Sequence, residues 1–137
     1  MSGAIANRSV PGASVIPELA YADVVEASDW LSKAFGFTVR LRIGSHRAQL
    51  VYGDGAIIVM NGGSGDVTPQ SVLVRVENAH AHHEQALAAG AHIVKPPTDY
   101  PYGERQYNAE DIGGHSWTFS QSIADVDPAD WGGVLVT

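Results

Sequence analysis

The order strand–helix–strand–strand–strand occurs twice along this chain, with a helix-ending glycine at the same place in each copy, Gly36 and Gly90. Val15 to Tyr21 alternates like a strand, and Ala22-Asp23 ends it. Glu26 to Phe35 then sets Ala27, Trp30, Leu31, Ala34 and Phe35 at helical spacing, with Asp23 or Ser28 as the cap. Phe37 to Ile43 alternates Phe37, Val39, Leu41 and Ile43 against Thr38, Arg40 and Arg42. His46 to Tyr52 and Ala56 to Met60 read as two more strands around the hairpin signal Gly53-Asp54-Gly55. Asn61 to Asp66 is a glycine-rich linker.

The second copy starts near Gln70. Gln70 to Glu77 is a strand, Ala79 to Ala89 a helix, and Ala91 to Lys95 a strand broken by Pro96-Pro97. Glu104 to Asp111 and His115 to Gln121 are strands on either side of Gly113-Gly114. A repeat of element order predicts two similar α+β modules, each burying one face of a small sheet under its helix. Two such sheets curled together leave a concave pocket, a common place for a ligand. The predicted organisation is a flexible leader at 1–13 and one domain at 14–122, made of modules 14–62 and 69–122. A tail follows at 123–137, where Asp127-Pro128 suits a helix start.

Composition narrows the function classes. Of 137 residues, 45% are hydrophobic and 17% charged, enough apolar material for a core and too little charge for a disordered chain. The formal net charge of −7 repels phosphate backbones, so nucleic acid is not expected as a partner. The same charge would attract cationic small molecules. The absence of cysteine excludes disulfides, thiolate zinc sites and cysteine nucleophiles. With no signal-like segment and no apolar run near the roughly 20 residues a membrane span needs, a cytoplasmic protein without membrane contact is expected.

Two stretches carry a family pattern. The second module runs from Gly90-Ala91 through a proline-rich loop to Tyr102-Gly103-Glu104-Arg105 and Asp111-Ile112-Gly113-Gly114-His115-Ser116-Trp117. This resembles the second module of vicinal oxygen chelate proteins, the glyoxalase, bleomycin-resistance and extradiol dioxygenase group. Ile112 stands where that group usually has proline. Tyr21-Ala22-Asp23 and Phe35-Gly36-Phe37 fit the first module. The resemblance spans about Val15 to Gln121 and implies curled mixed sheets built from two βαβββ modules, often completed as a homodimer. It does not imply one activity.

In the enzymes of the group, a divalent metal is held by His, Gln or Glu on the first, fourth, fifth and eighth strands. Those positions fall here on Ile16, Val59 or Met60, Ser71 and Thr118. Neither these residues nor their neighbours supply a ligand set, and only Glu18 and Gln70 come within two residues. No metal and no other cofactor is expected. His80 and His83, one turn apart on the second helix, read as a solvated face, and His115 as a residue that orders the turn.

Strand alternation nominates a pocket lining of Ile16, Glu18, Leu73, Arg75 and Thr118. Glu18 and Arg75 either face a ligand or pair with each other. The run Tyr100 to Tyr107 adds Tyr102, Glu104, Arg105 and Tyr107, suited either to stacking and ion-pairing with a planar ligand or to shaping a loop. Ser-His-Asp and phosphate-loop patterns are absent. The expected function is metal-free binding of a small organic molecule, an antibiotic or a metabolite. The alternatives are a metal-dependent lyase or dioxygenase, a metal-free isomerase using Glu18 or Glu104 as base, and an interaction module.

Overall fold

The computed structural model describes residues 5–62 and 68–136. Residues 63–67, which include most of the expected linker, and the start of the expected leader, residues 1–4, lie outside them. The chain divides into two units, residues 1–68 and 69–137. Each unit is a four-stranded mixed sheet with one helix, as the element order predicts.

In the first unit β1 (Glu18–Tyr21), α1 (Val24–Phe35), β2 (Thr38–Ile43), β3 (Arg47–Tyr52) and β4 (Gly55–Asn61) follow one another. The sheet order is β1-β4-β3-β2. Only β1 and β4 run parallel; the rest of the ladder is antiparallel. Asp23, rather than Ser28, caps α1: its Oδ1 accepts from the Glu26 amide at 2.9 Å. Ser28 lies inside the helix and donates its Oγ to the Val24 carbonyl at 2.6 Å. The helix closes at Gly36, whose φ of 83° is open to glycine and strained for other residues. Leu31, Ala34 and Phe35 are fully buried against the sheet with Leu19, Ala48, Leu50 and Val59.

The alternation expected for β2 is interrupted. The register against β3 shifts between Val39 and Leu41, so these two residues lie on opposite faces and Ile43 is exposed. An inserted residue in one strand of an antiparallel pair has this effect. Part of the leader is docked. Arg40 Nη2 donates to the Arg8 carbonyl at 2.6 Å and Gln49 Nε2 to the Ser9 carbonyl at 2.8 Å. Pro11 is buried.

The second unit repeats the plan with β5 (Ser71–Arg75), α2 (Ala79–Ala88), β6 (His92–Tyr100), β7 (Glu104–Glu110) and β8 (Ser116–Ser122), in the order β5-β8-β7-β6. The Pro96-Pro97 pair does not end β6, which continues to Tyr100. Because β6 is the sheet edge, a missing proline N–H leaves no neighbouring strand unpaired. Two register shifts, between Ile93 and Lys95 and between Lys95 and Thr98, absorb the misfit. The tail forms a short 3-10 helix (Pro128–Trp131) capped by Asp127, as the Asp-Pro pair predicts.

Beneath α2 lies an aromatic core of Tyr107, Trp117 and Phe119, each at most 1% exposed. His82 enters this core from the helix. Its ring centroid is 4.2 Å from that of Phe119, and its Nδ1 meets the Tyr107 hydroxyl at 2.5 Å. The buried phenol thus keeps a hydrogen bond while its ring packs. Of the histidines expected on a solvated face, His80 is exposed and His83 is partly covered.

One carboxylate organises the β7–β8 turn. Asp111 Oδ1 accepts from the amides of Gly113 and His115 at 2.9 Å each, and Oδ2 accepts from Trp117 Nε1 at 2.9 Å. His115 acts one strand further away than the turn itself: its Nδ1 accepts from the Gln70 amide at 2.9 Å and holds the start of β5. With Nδ1 as acceptor, the neutral ring carries its proton on Nε2. Replacing Asp111 by Ala strands three donors, two of them in the turn and one on a buried indole. Urea unfolding should show a loss of about 3–5 kcal/mol, with Asp111→Asn recovering part of it.

Candidate ligand-binding face

The face of the second sheet that α2 leaves uncovered is built by register. Strand alternation places Ser71, Leu73 and Arg75 of β5 on it, beside Ser116, Thr118 and Ser120 of β8. The β7–β8 pairing adds Asn108 opposite Thr118, Gln106 opposite Ser120 and Glu104 opposite Ser122. Almost every position on this face carries a hydrogen-bonding group. Leu73 is the apolar exception, 62% exposed on an edge strand.

These groups are joined in two sets. Ser120 Oγ donates to Glu104 Oε1 at 2.7 Å, and Gln106 Nε2 donates to Ser120 Oγ at 3.0 Å. The Tyr102 hydroxyl donates to Gln106 Oε1 at 3.2 Å. Arg75 hydrogen-bonds Ser122 and lies 3.8 Å from Glu104. Asn108 Nδ2 donates to Thr118 Oγ1 at 2.7 Å. Partial burial acts to raise the Glu104 carboxyl pKa. Hydrogen bonds from Ser122 and Ser120, with the charge of Arg75, outweigh it and hold the group below its ordinary value.

The nominated residues divide accordingly. Leu73, Arg75, Glu104 and Thr118 share this one face, and Tyr102 joins it from the turn. Two others lie elsewhere. Arg105 is on the opposite face, where it makes a two-point contact with Asp99, Nε to Oδ1 at 2.7 Å and Nη2 to Oδ2 at 3.1 Å. That contact keeps the Asp99 carboxyl below its usual range. Tyr107 is core, with no exposed surface, because β7 alternates and residues 105 and 107 turn toward the helix side. Glu18 belongs to the first unit and pairs with Arg47 at 2.7 Å, so Glu18 and Arg75 each have a partner within their own unit. Gln106, Asn108 and Ser122 lie on the face beyond those nominated. Their signal was the alternation of Glu104–Glu110 and Ser116–Ser122, once the pairing is known.

An aromatic rim borders the network. The Tyr100 and Tyr102 rings stack with centroids 5.3 Å apart, and Lys95 Nζ is 5.0 Å from the Tyr100 ring centre. Trp131 of the tail meets Tyr102 edge-on at 5.7 Å and stays 47% exposed. Gly103 permits this approach. Its φ is 84°, its carbonyl accepts from the Ile123 amide at 2.8 Å, and a Cβ there would lie 2.4 Å from the Ala124 carbonyl oxygen.

The four metal positions that the resemblance implies fall in both units. Ile16 precedes β1, and Met60 is on the same sheet face as Glu18 and Ala20, whereas Val59 is buried on the helix side. Ser71 and Thr118 lie on the uncovered face of the second sheet. An isoleucine, a thioether and two neutral hydroxyls do not fit a divalent cation. Among the described residues, no group of three His, Asp or Glu side chains is arranged to hold a metal.

The depressed Glu104 pKa has a pH consequence. Its folded value is below its unfolded one, so its ionisation stabilises the fold above the unfolded pKa. That contribution disappears as pH falls through the folded value. Thermal melts at pH about 7 and about 3 should therefore differ less for Glu104→Gln than for the parent.

The chain compares with known proteins as follows. A sequence profile described as Glyoxalase/Bleomycin resistance protein/Dioxygenase superfamily matches residues 15–119. TioX from Micromonospora sp. ML1 has a solved structure that is 38% identical, with a TM-score of 0.74, covering 81% of this chain and 99% of that one. A glyoxalase/bleomycin resistance protein/dioxygenase from Nocardioides is 15% identical, with a TM-score of 0.68 over 88% of this chain and 87% of that one. A glyoxalase-related enzyme from Fulvimarina pelagi, 15% identical, gives a TM-score of 0.65 over 80% and 88% of the two chains. The two likenesses at 15% identity speak for the fold alone. No curated protein matches the chain. With more than half its length matched and a 38% identical relative across most of it, the chain belongs to the glyoxalase/bleomycin resistance protein/dioxygenase superfamily.

Proposed function

We propose that this protein binds a small organic molecule, an antibiotic or a metabolite, without a metal, as the bleomycin-resistance members of its superfamily bind theirs. The observation that carries this reading is the network of Arg75, Glu104, Ser120 and Gln106 and the separate Asn108–Thr118 pair on one sheet face, with exposed Leu73 beside them. A few placed polar groups next to apolar and aromatic surface suit ligand orientation. The ionised Glu104 and the net charge of −7 favour a cationic group on the ligand.

The donor chemistry at the metal positions supports binding over metal-assisted catalysis. The isomerase alternative loses support for a different reason. A general base works best with a pKa near the operating pH. Glu104 is shifted the other way, and Glu18 is in an ion pair. The reading extends to a cytoplasmic homodimer. Among the described residues no helix is long and apolar enough to cross a membrane.

Thermal-shift screening of the full chain against cationic antibiotics and common metabolites should yield a stabilising ligand. Arg75→Met and Asn108→Leu should each weaken its binding about tenfold, the effect of one lost hydrogen bond to a polar ligand group. Affinity unchanged from the parent in both variants would move the site elsewhere. Metal analysis of protein purified without a histidine tag should find no stoichiometric Fe, Ni, Zn or Mn, and light scattering should return a dimer mass.

A further inference from the structure

The first sheet also has a face that its helix leaves uncovered, and the chain covers part of it with its own N-terminal segment. Two side chains hold that segment. Gln49, 4% exposed in the middle of β3, turns its carboxamide toward residue 9 and donates to the Ser9 carbonyl at 2.8 Å. Arg40, the residue at the β2 register shift, donates Nη1 to Gln49 Oε1 at 2.5 Å and Nη2 to the Arg8 carbonyl at 2.6 Å. Two side-chain donors thus converge on two consecutive carbonyl oxygens.

Arg40 differs from four of the other five arginines in its partners. Arg42, Arg47, Arg75 and Arg105 each have a carboxylate partner within 4.0 Å. Among the described residues Arg40 has neutral acceptors only. A guanidinium bonded to carbonyl dipoles gains less than one bonded to a carboxylate, which accepts shorter and stronger hydrogen bonds.

We propose that residues 8–13 are a displaceable strap, and that Arg40 and Gln49 beneath it form a second binding site for small carboxylates. The Arg8 and Ser9 carbonyls stand in for the two oxygens of the ligand. A carboxylate that takes their place neutralises Arg40, keeps Gln49 bonded, and releases the strap. The site lies on a different sheet from the face proposed above, and neither depends on the other.

The strap carries its own reporter, because trypsin cuts after Arg8 only when the segment leaves the sheet. Intact-mass analysis of brief digests of the full chain follows loss of residues 1–8. Sodium benzoate at millimolar concentration should speed that cut roughly tenfold, while benzamide, its uncharged analogue, should change it much less. Gln49→Glu keeps the side-chain volume, offers Arg40 a carboxylate and repels the Ser9 carbonyl. It should be cut fast without ligand and show no response to benzoate. Arg40→Met should behave the same way, and near-ultraviolet circular dichroism of both variants verifies the fold. A cut equally slow with and without benzoate would overturn the site, as would a benzoate response that persists in folded Gln49→Glu.

Discussion

The second unit depends on the three hydrogen bonds that Asp111 accepts. A buried carboxylate needs partners, and here they come from two turn amides and the Trp117 indole. The turn amides set where β7 ends and β8 begins. The indole bond fixes Trp117 beneath the helix. Fixing Trp117 in turn settles which residues of β8 face inward, since a slip of one would exchange the two faces. His115 extends the arrangement by holding the start of β5, the parallel neighbour of β8. The polar network on the uncovered face is therefore positioned from the turn at the end of its strands.

The same residues show why the fold was readable in the sequence. Asp111, the two glycines after it and Trp117 are local, so a short motif carries them. Helix ends were equally local: Asp23 and Gly36 work through atoms within a few residues. The features that stayed hidden depend on partners far along the chain. Pro96-Pro97 breaks a strand only if both edges are paired, and the edge position of β6 is a property of the sheet. The shift at Val39 and Leu41 comes from pairing with β3.

The candidate face was half legible for a related reason. Tyr100 to Tyr107 looks like one cluster when read as a string. In a strand, neighbours point apart, so Glu104 and Gln106 went to the network while Arg105 and Tyr107 went to the helix side. Tyr107 found its partner in His82, a residue with nothing in its own helix to mark it as core. The docking of residues 8 and 9 had no sequence signature either, because their backbone carbonyls, common to every residue, make the contact.

Gly103 ties the turn to the tail. Any side chain at this position meets the carbonyl of Ala124 and must also adopt a positive φ. The turn and residues 123–131 are thus one inherited unit. A relative with a bulkier residue at this place has to route its C-terminus along another path. That relative would then present a bare Tyr102 where this chain presents a tyrosine edged by Trp131. One backbone crossing can therefore diversify what the rim of the site offers to a ligand, with the sheet left unchanged.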